Sequence, residues 1–315
     1  MSTIVITGGA GFIGSHIAES CVKEGHEVVI VDNLSDYYSP KAKKKNIEYV
    51  HRQGKATFIQ GDITDGAFVR KVIPPDTDYI FHEAAQPGVR ISVENPFFPN
   101  QINVLGTLNV LQAAREAGVK RVINASSSSV YGKVSYLPFD EKHPTQPVSP
   151  YGVSKLAAEH YCRVFSEIYD LPTVSLRYFT VYGPRMRPDL AISLFTEKML
   201  KNEQVIIFGD GNQTRDFTYI DDVVRVNLSL LSTSRADGKV LNVGGGHRIS
   251  INELVKKLKM ITKSRSDIVY QPAKKGDAEH TLSETDLAKT LLNFSPQTDI
   301  DSGLKKFVDW FRKER

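Results

Sequence analysis

Cysteine is scarce: Cys21 and Cys162 are the two in 315 residues. Each falls in an amphipathic helical stretch, so no disulfide framework is expected and a reducing interior suits them. No stretch approaches 18 uninterrupted apolar residues, and the start lacks a basic region followed by an apolar segment and a cleavage site. Neither a membrane span nor a secretory leader is expected, and the chain reads as soluble and cytoplasmic. Charge of one sign is lacking too. Forty Lys and Arg stand against 36 Asp and Glu, a formal net charge of +4, too even for nucleic-acid binding to be read from charge. The densest basic patches, 41–45 and 256–259, read as solvated loop or helix faces. No repeat, low-complexity tract or metal-ligand cluster stands out, and small anions are the expected partners.

What is present begins with glycine. Gly8, Gly11 and Gly14 follow the apolar run Ile4–Ile6, where a first strand must turn abruptly into a helix. Gly8 permits the tight turn, Gly11 lets backbone amides approach a pyrophosphate, and Gly14 lets the helix pack closely on the sheet. Asp32 ends a second strand, Val28–Val31, where a carboxylate accepts hydrogen bonds from an adenosine ribose. The same charge disfavours a 2′-phosphate, so NAD is expected rather than NADP. Asp62 follows a third strand and can meet an adenine amino group or cap a helix. Ala84 and Ala85 follow a fourth, leaving room for cofactor. The expected cofactor set is completed by Phe12, Ile13, Asn33, Ile63 and Asn103.

Strand-like runs at 4–7, 28–31, 56–59, 79–81, 121–125 and 173–177 alternate with helical runs at 11–24, 67–72, 100–117 and 151–169. This alternation predicts an α/β fold, a Rossmann-like parallel sheet with helices on both faces. Residues 1–179 form the expected cofactor domain. Residues 180–315 form a smaller substrate-binding region, with 217–245 returning to the large domain. Further helices are predicted at 193–200, 221–231, 251–260, 284–292 and 304–312, and a strand at 240–243. The run Gly244–Gly246 imitates a phosphate loop, but Ser250 and Glu253 form a capping-box pattern that favours a strand-to-helix turn.

Tyr151 and Lys155 lie four residues apart on a predicted helix and so share one side of it. An adjacent ammonium and a cationic nicotinamide favour the phenolate of a tyrosine whose free pKa is near 10. The lysine can also hold a nicotinamide ribose hydroxyl. Ser126–Ser129 follow the fifth strand at the sheet's ligand edge, where Ser127 can either cap a turn or bond a reacting oxygen.

These residues carry a family resemblance. The motifs 7–14, 103–108, 126–132, 149–155, 176–184 and 208–219 resemble the extended short-chain dehydrogenase/reductases, specifically the UDP-glucose and UDP-glucuronate 4-epimerases. The resemblance implies Tyr151 as base, Lys155 as its cofactor-bound partner, Ser127 as assisting hydroxyl and Arg215 as neutraliser of a substrate diphosphate. It implies transient oxidation at C4, rotation of the 4-keto sugar and return of hydride to the other face. Phe179 and Thr180 depart from the UDP-glucose epimerase pattern and resemble the glucuronate type. Arg185 is then a candidate partner for a sugar carboxylate, with Ser128, Arg187 and Asp277 completing the substrate set. Lysines 274 and 275 stand where relatives commonly place an arginine before Gly-Asp, which weakens any bidentate contact there. A UDP-glucuronate decarboxylase and a non-catalytic NAD-sensing interaction protein are the alternatives. A homodimer is expected through 100–117 and 151–169, with Leu105, Leu108, Leu111, Ala157, Tyr161 and Phe165 offering either apolar docking surface or a broad internal face.

Overall fold

In a computed structural model that describes residues 1–273 and 278–314, seven parallel strands make one sheet. They are β1 (Thr3–Thr7), β2 (Glu27–Asp32), β3 (Ala56–Gln60), β4 (Tyr79–His82), β5 (Arg121–Ser127), β6 (Thr173–Tyr178) and an edge strand, Lys239–Val243. The spatial order is β3, β2, β1, β4, β5, β6, edge strand. Winding therefore reverses between β1 and β4, and a crevice opens there beyond the strand C-termini. Ile4, Val5 and Ile6 are all fully buried, as a parallel strand covered on both faces requires. Alternate residues feed two cores. Ile4 and Ile6 pack with Ile17, Ala18 and Cys21 of α1 (Phe12–Lys23), while Val5 packs with Val110, Leu111 and Phe165 on the opposite side. Each such aliphatic side chain contributes about 1.5–3 kcal/mol by leaving water.

Both cysteines are buried and unpaired, and burial pushes the Cys162 thiol up to about 12. Residues 41–45 lie on α2 (Pro40–His51), and the patch is not uniformly solvated: Lys43 is buried, 3.6 Å from Asp32. The helix expected over 100–117 opens with a wider π-helical turn, Asn100–Gly106, before regular helix at Thr107–Ala117. Within that turn Gly106 packs so closely that a Cβ would lie 2.5 Å from Ile63 Cδ1.

Beyond β6 the chain interleaves two regions. Val181–Tyr182 pairs with Thr218–Tyr219, Val205–Phe208 with Ile268–Gln271, and Thr214–Asp216 with Arg248–Ser250. The strand Lys239–Val243 joins the large sheet beside β6, and helix Ile220–Ser229 packs on α1. The glycine run 244–246 turns inward. Its amides close on the buried Asp216 carboxylate, Gly245 N–H at 2.8 Å and Gly246 N–H at 3.2 Å. The capping box on helix Ile251–Thr262 is formed by Ser250 and Glu253.

Candidate active site

A cavity of about 910 Å³ lies at the sheet's C-terminal edge, between the turn after β1 and the smaller region. One wall is the glycine turn. Gly8 has φ +68°, and a Cβ on it would lie 2.6 Å from the Ala84 nitrogen, so β1 and β4 loops can approach this closely only over glycine. A Cβ on Gly14 would meet the Gly8 carbonyl at 2.5 Å. The α1 N-terminus carries no side-chain cap, which leaves its first-turn amides and dipole available to an anion. Asp32 accepts from the Leu34 N–H at 2.8 Å and the Ala10 N–H at 3.3 Å, fixing the acid at the turn. Asn33 donates to Asp62 at 2.9 Å. The buried Tyr38 hydroxyl has no hydrogen-bond partner among the described residues, and lies 3.9 Å from where a Gly11 Cβ would stand. An orphaned donor over a bare helix N-terminus beside an acid fits a dinucleotide.

The opposite wall carries Tyr151, Ser127 and Lys155. Helix Pro150–Ile168 starts at Ser149, whose hydroxyl accepts from the Gly152 N–H at 3.2 Å, with Pro150 in the first turn. A Cβ on Gly152 would strike the Ser129 carbonyl at 2.5 Å; glycine there lets Tyr151 meet the end of β5. Ser127 stands between the turn after β5 and the phenol. Its oxygen accepts from the Ser129 N–H at 3.1 Å, capping the turn, and its hydroxyl faces the Tyr151 phenol and favours ionisation there. Burial is nevertheless the largest influence on Tyr151 and raises its pKa; Ser127 and the Arg187 charge oppose that rise, and Glu83 adds to it. Lys155 donates to the Ala125 carbonyl at 2.7 Å. Burial brings its pKa down to about 8, against the pull of Glu83. A salt bridge between Arg177 and Glu159, at 2.8 Å and almost wholly buried, pins this helix to β6.

Residues 4–244 match the NAD dependent epimerase/dehydratase family. The chain belongs to that family. It is 36% identical over 315 residues to the UDP-glucuronate 4-epimerase of Thermodesulfobacterium geofontis, covering 99% of this chain and 97% of the relative. Among solved structures it is similar to a Bacillus cereus UDP-glucuronic acid 4-epimerase in complex with UDP-glucuronic acid and NAD. The TM-score is 0.94 and identity 36%, over 99% of this chain and 100% of that one. It is comparably similar to a Thermotoga maritima UDP-glucose 4-epimerase with UDP-glucose, at TM-score 0.92 and 38% identity over 99% of both chains. The chain is an NAD-dependent nucleotide-sugar epimerase with a Rossmann-like core.

Within this epimerase-family cavity the structure brings together Gly8, Gly11, Phe12, Ile13, Gly14, Asp32, Asn33, Asp62, Ile63, Ala84, Ala85, Tyr151 and Lys155. Ser127, Ser128, Thr180, Arg187 and Arg215 line it as well. Asp277 and the lysines before it lie outside the described residues.

Three expected residues are placed elsewhere. Asn103 is buried and committed: Oδ1 accepts from the Gln86 N–H at 2.7 Å, and Nδ2 donates to the Gln86 carbonyl and Ser154 Oγ. It ties the β4 loop to the Tyr151 helix instead of lining the cavity. Phe179 is fully buried with Val130, Tyr131 and Phe139, because successive residues of an extended chain face opposite ways. Arg185 sits at the third position of a turn closed by the Met186 N–H to the Gly183 carbonyl, with φ +65°. That left-handed residue turns its side chain back to α1, where the guanidinium meets Glu19 and Ser15.

Sequence reasoning missed several cavity residues. Tyr37 donates to Asp189 at 3.0 Å, and the Arg187 guanidinium lies 5.5 Å from the Tyr37 ring centre. These contacts join the loops after β2 and β6 across the cavity. Asp216, held by the glycine run, anchors the short strand that carries Arg215. Glu83 had a signal like that of Asp32, an acid immediately after a buried strand.

Proposed function

We propose that this chain epimerises a UDP-hexose at C4 through a transient 4-keto sugar, and that a UDP-hexuronate is its preferred substrate. The observation that carries this reading is the convergence of Tyr151, Ser127 and Lys155 on one cavity wall, facing the glycine turn. Bound NAD supplies the redox partner for C4. Tyr151 takes the 4-hydroxyl proton and later returns it, Ser127 holds the sugar oxygen and the phenol, and Lys155 orders the cofactor ribose and lends positive charge. Arg215 anchors the diphosphate so that the sugar turns while the nucleotide stays. Preference for a hexuronate is supported by Thr180, Ser128 and Arg187 lining the same cavity, where the Arg187 guanidinium pairs with Asp189 at 3.1 and 3.2 Å. A substrate carboxylate can take over that pairing. Arg187, not Arg185, is the arginine positioned for it.

Incubation with UDP-glucuronate and with UDP-glucose, followed by separation of sugar epimers and carbon dioxide, tests the reading. UDP-galacturonate should form with the higher kcat/KM. Faster turnover of UDP-glucose would overturn the hexuronate preference, and carbon dioxide with a UDP-pentose would replace epimerisation by decarboxylation.

A homodimer through the Asn100–Ala117 and Pro150–Ile168 helices belongs to the same proposal. Leu105 and Tyr161 are exposed on it, together with Val153 and Ile168. Leu111 and Phe165 are buried in the interior instead, and Leu108 and Ala157 are half-buried. Sedimentation at increasing concentration should show twice the 35.1 kDa chain mass; a monomer throughout rejects the dimer.

A further inference from the structure

Lys155 stands in the field of two carboxylates, Glu83 and Glu159. Glu159 is already neutralised: its oxygens take the Arg177 guanidinium at 2.9 and 2.8 Å, and Oε1 also accepts from Ser126. Glu83 is held differently, by a neutral donor whose direction is fixed from behind. Asn227, fully buried on helix Ile220–Ser229, donates from Nδ2 to the Val223 carbonyl at 2.8 Å and to Tyr178 Oη at 2.9 Å. The Tyr178 hydroxyl lies 2.9 Å from Glu83 Oε1 and 3.2 Å from Asn227 Oδ1, and its single proton goes to the nearer, carboxylate acceptor. A chain of oriented hydrogen bonds thus presents a carboxyl group to the cavity that also holds Lys155 and Tyr151.

We propose that Glu83 is a positioning residue of the reaction centre: its carboxylate is the counter-charge that keeps Lys155 an ammonium beside Tyr151. The inference rests on Tyr151 and Lys155 being the reacting pair. From helix Pro150–Ile168 the groups facing Glu83 are Lys155 and Tyr151, and from β6 Tyr178. β1 adds the Thr7 carbonyl, which accepts the Glu83 N–H at 3.0 Å. The adjacent His82 is neutral, its ring bridging the Thr7 and Thr107 hydroxyls while burial lowers its pKa to about 3.

Burial raises Glu83 to about 7 and lowers Lys155 to about 8, so the two titrate as a coupled pair around neutrality. Glu83→Gln keeps an acceptor for Tyr178 and removes only the charge. Lys155 then loses its proton at lower pH, because a favourable neighbour is gone. Tyr151 ionises at lower pH, because a like charge is gone. Both limbs of the kcat–pH profile should move toward acid by about one pH unit.

The experiment compares wild-type and Glu83→Gln holoenzyme in kcat–pH profiles. Competitive acetylation of Lys155 across pH, read by peptide mass spectrometry on cofactor-free protein, reports the lysine without any turnover. The proposal expects the acidward movement in both. Limbs and lysine titration that stay in place while kcat falls would overturn it and leave Glu83 a structural residue. Should Glu83→Gln not fold, Tyr178→Phe carries the test: stripping the donor favours neutral Glu83, and the Lys155 titration should move the same way by less. No movement there overturns the proposal equally. Failure of wild-type protein to turn over any UDP-hexose would sink the epimerase reading, while the Lys155 titration still decides the counter-charge.

Discussion

Arg185 and Arg187 are two residues apart, and replacing each by Met should separate a fold contact from a substrate contact. Arg185 is 9% exposed and its partner Glu19 15%. Breaking a buried pair costs about 3–5 kcal/mol. Glu19 keeps Lys23 at 2.7 Å, so the loss is about 2–3 kcal/mol. With an unfolding entropy of about 2.1 cal/mol/K per residue, that lowers Tm by about 3–5 °C. Methionine preserves the apolar stem beside Tyr49, whose ring lies 5.1 Å from the guanidinium carbon, so the loss belongs to the charged head. KM for UDP-glucuronate should stay within about twofold of wild type, since nothing aimed into the cavity is removed. Arg187→Met should behave in the opposite way. Its ion pair with Asp189, 41% exposed, carries little stability, so Tm should move by less than ~2 °C. KM for the hexuronate should rise about tenfold or more with the loss of a charge-assisted contact. Loss of the Arg187 charge also raises the Tyr151 phenol further, moving the acid limb of the kcat–pH profile upward. Differential scanning calorimetry and steady-state kinetics on both variants decide the matter. A tenfold rise in KM from Arg185→Met with unchanged Tm would refute the placement of both arginines.

Tyr151→Phe should lower kcat by roughly 10²–10⁴-fold while NAD binding, followed by calorimetric titration, persists; near-normal turnover would remove Tyr151 from proton transfer. Arg215→Ala should weaken UDP binding by about ten- to a hundredfold through the lost diphosphate contact, and unchanged affinity in competition assays would dismiss the anchor. His16 and His82 are buried and neutral, each with a pKa lowered from 6.5 to about 3, by burial first and then by Arg185 and Lys155 respectively. Between those values the unfolded chain binds protons that the folded one refuses. Their contribution is therefore complete above pH 6.5 and falls by about 1.4 kcal/mol per pH unit for each histidine as pH drops toward 3. Glu83, raised to about 7, takes up a proton in the folded chain over the same window and offsets one histidine. Tm measured from pH 4.5 to 7 should therefore keep about one histidine's slope in wild type and be nearly flat in His82→Gln; equal slopes in the two would contradict the buried neutral ring.

Local pattern sufficed wherever the physics was local. Alternating apolar runs with breakers between them specify strands and helices, and Gly8, Gly11 and Gly14 specify the turn, because backbone sterics act within a few residues. Tyr151 and Lys155 were legible as a pair because helical geometry brings positions four apart onto one face. The box at Ser250 and Glu253 was legible for the same reason. The helix Pro40–His51 was not: its periodicity is weak, and only contact with the sheet decides that Asn46 and Val50 face inward while Lys43 is buried beside Asp32.

Sequence by itself determined the strand–turn–helix cradle, the acid at Asp32 and the helix bearing Tyr151, since each depends on residues adjacent in the chain. Tertiary structure alone decided which of two nearby arginines reaches the cavity. One residue with positive φ sends Arg185 to α1 and leaves Arg187 at the site, and that choice depends on Glu19, 166 positions away. Tertiary structure also gave the turn at 244–246 its partner, the buried Asp216 carboxylate. It assembled Glu83, Tyr178 and Asn227 from the loop after β4, from β6 and from a helix. Charges and donors act through space over a few ångströms, and chain spacing carries no record of which distant groups the fold brings within that range.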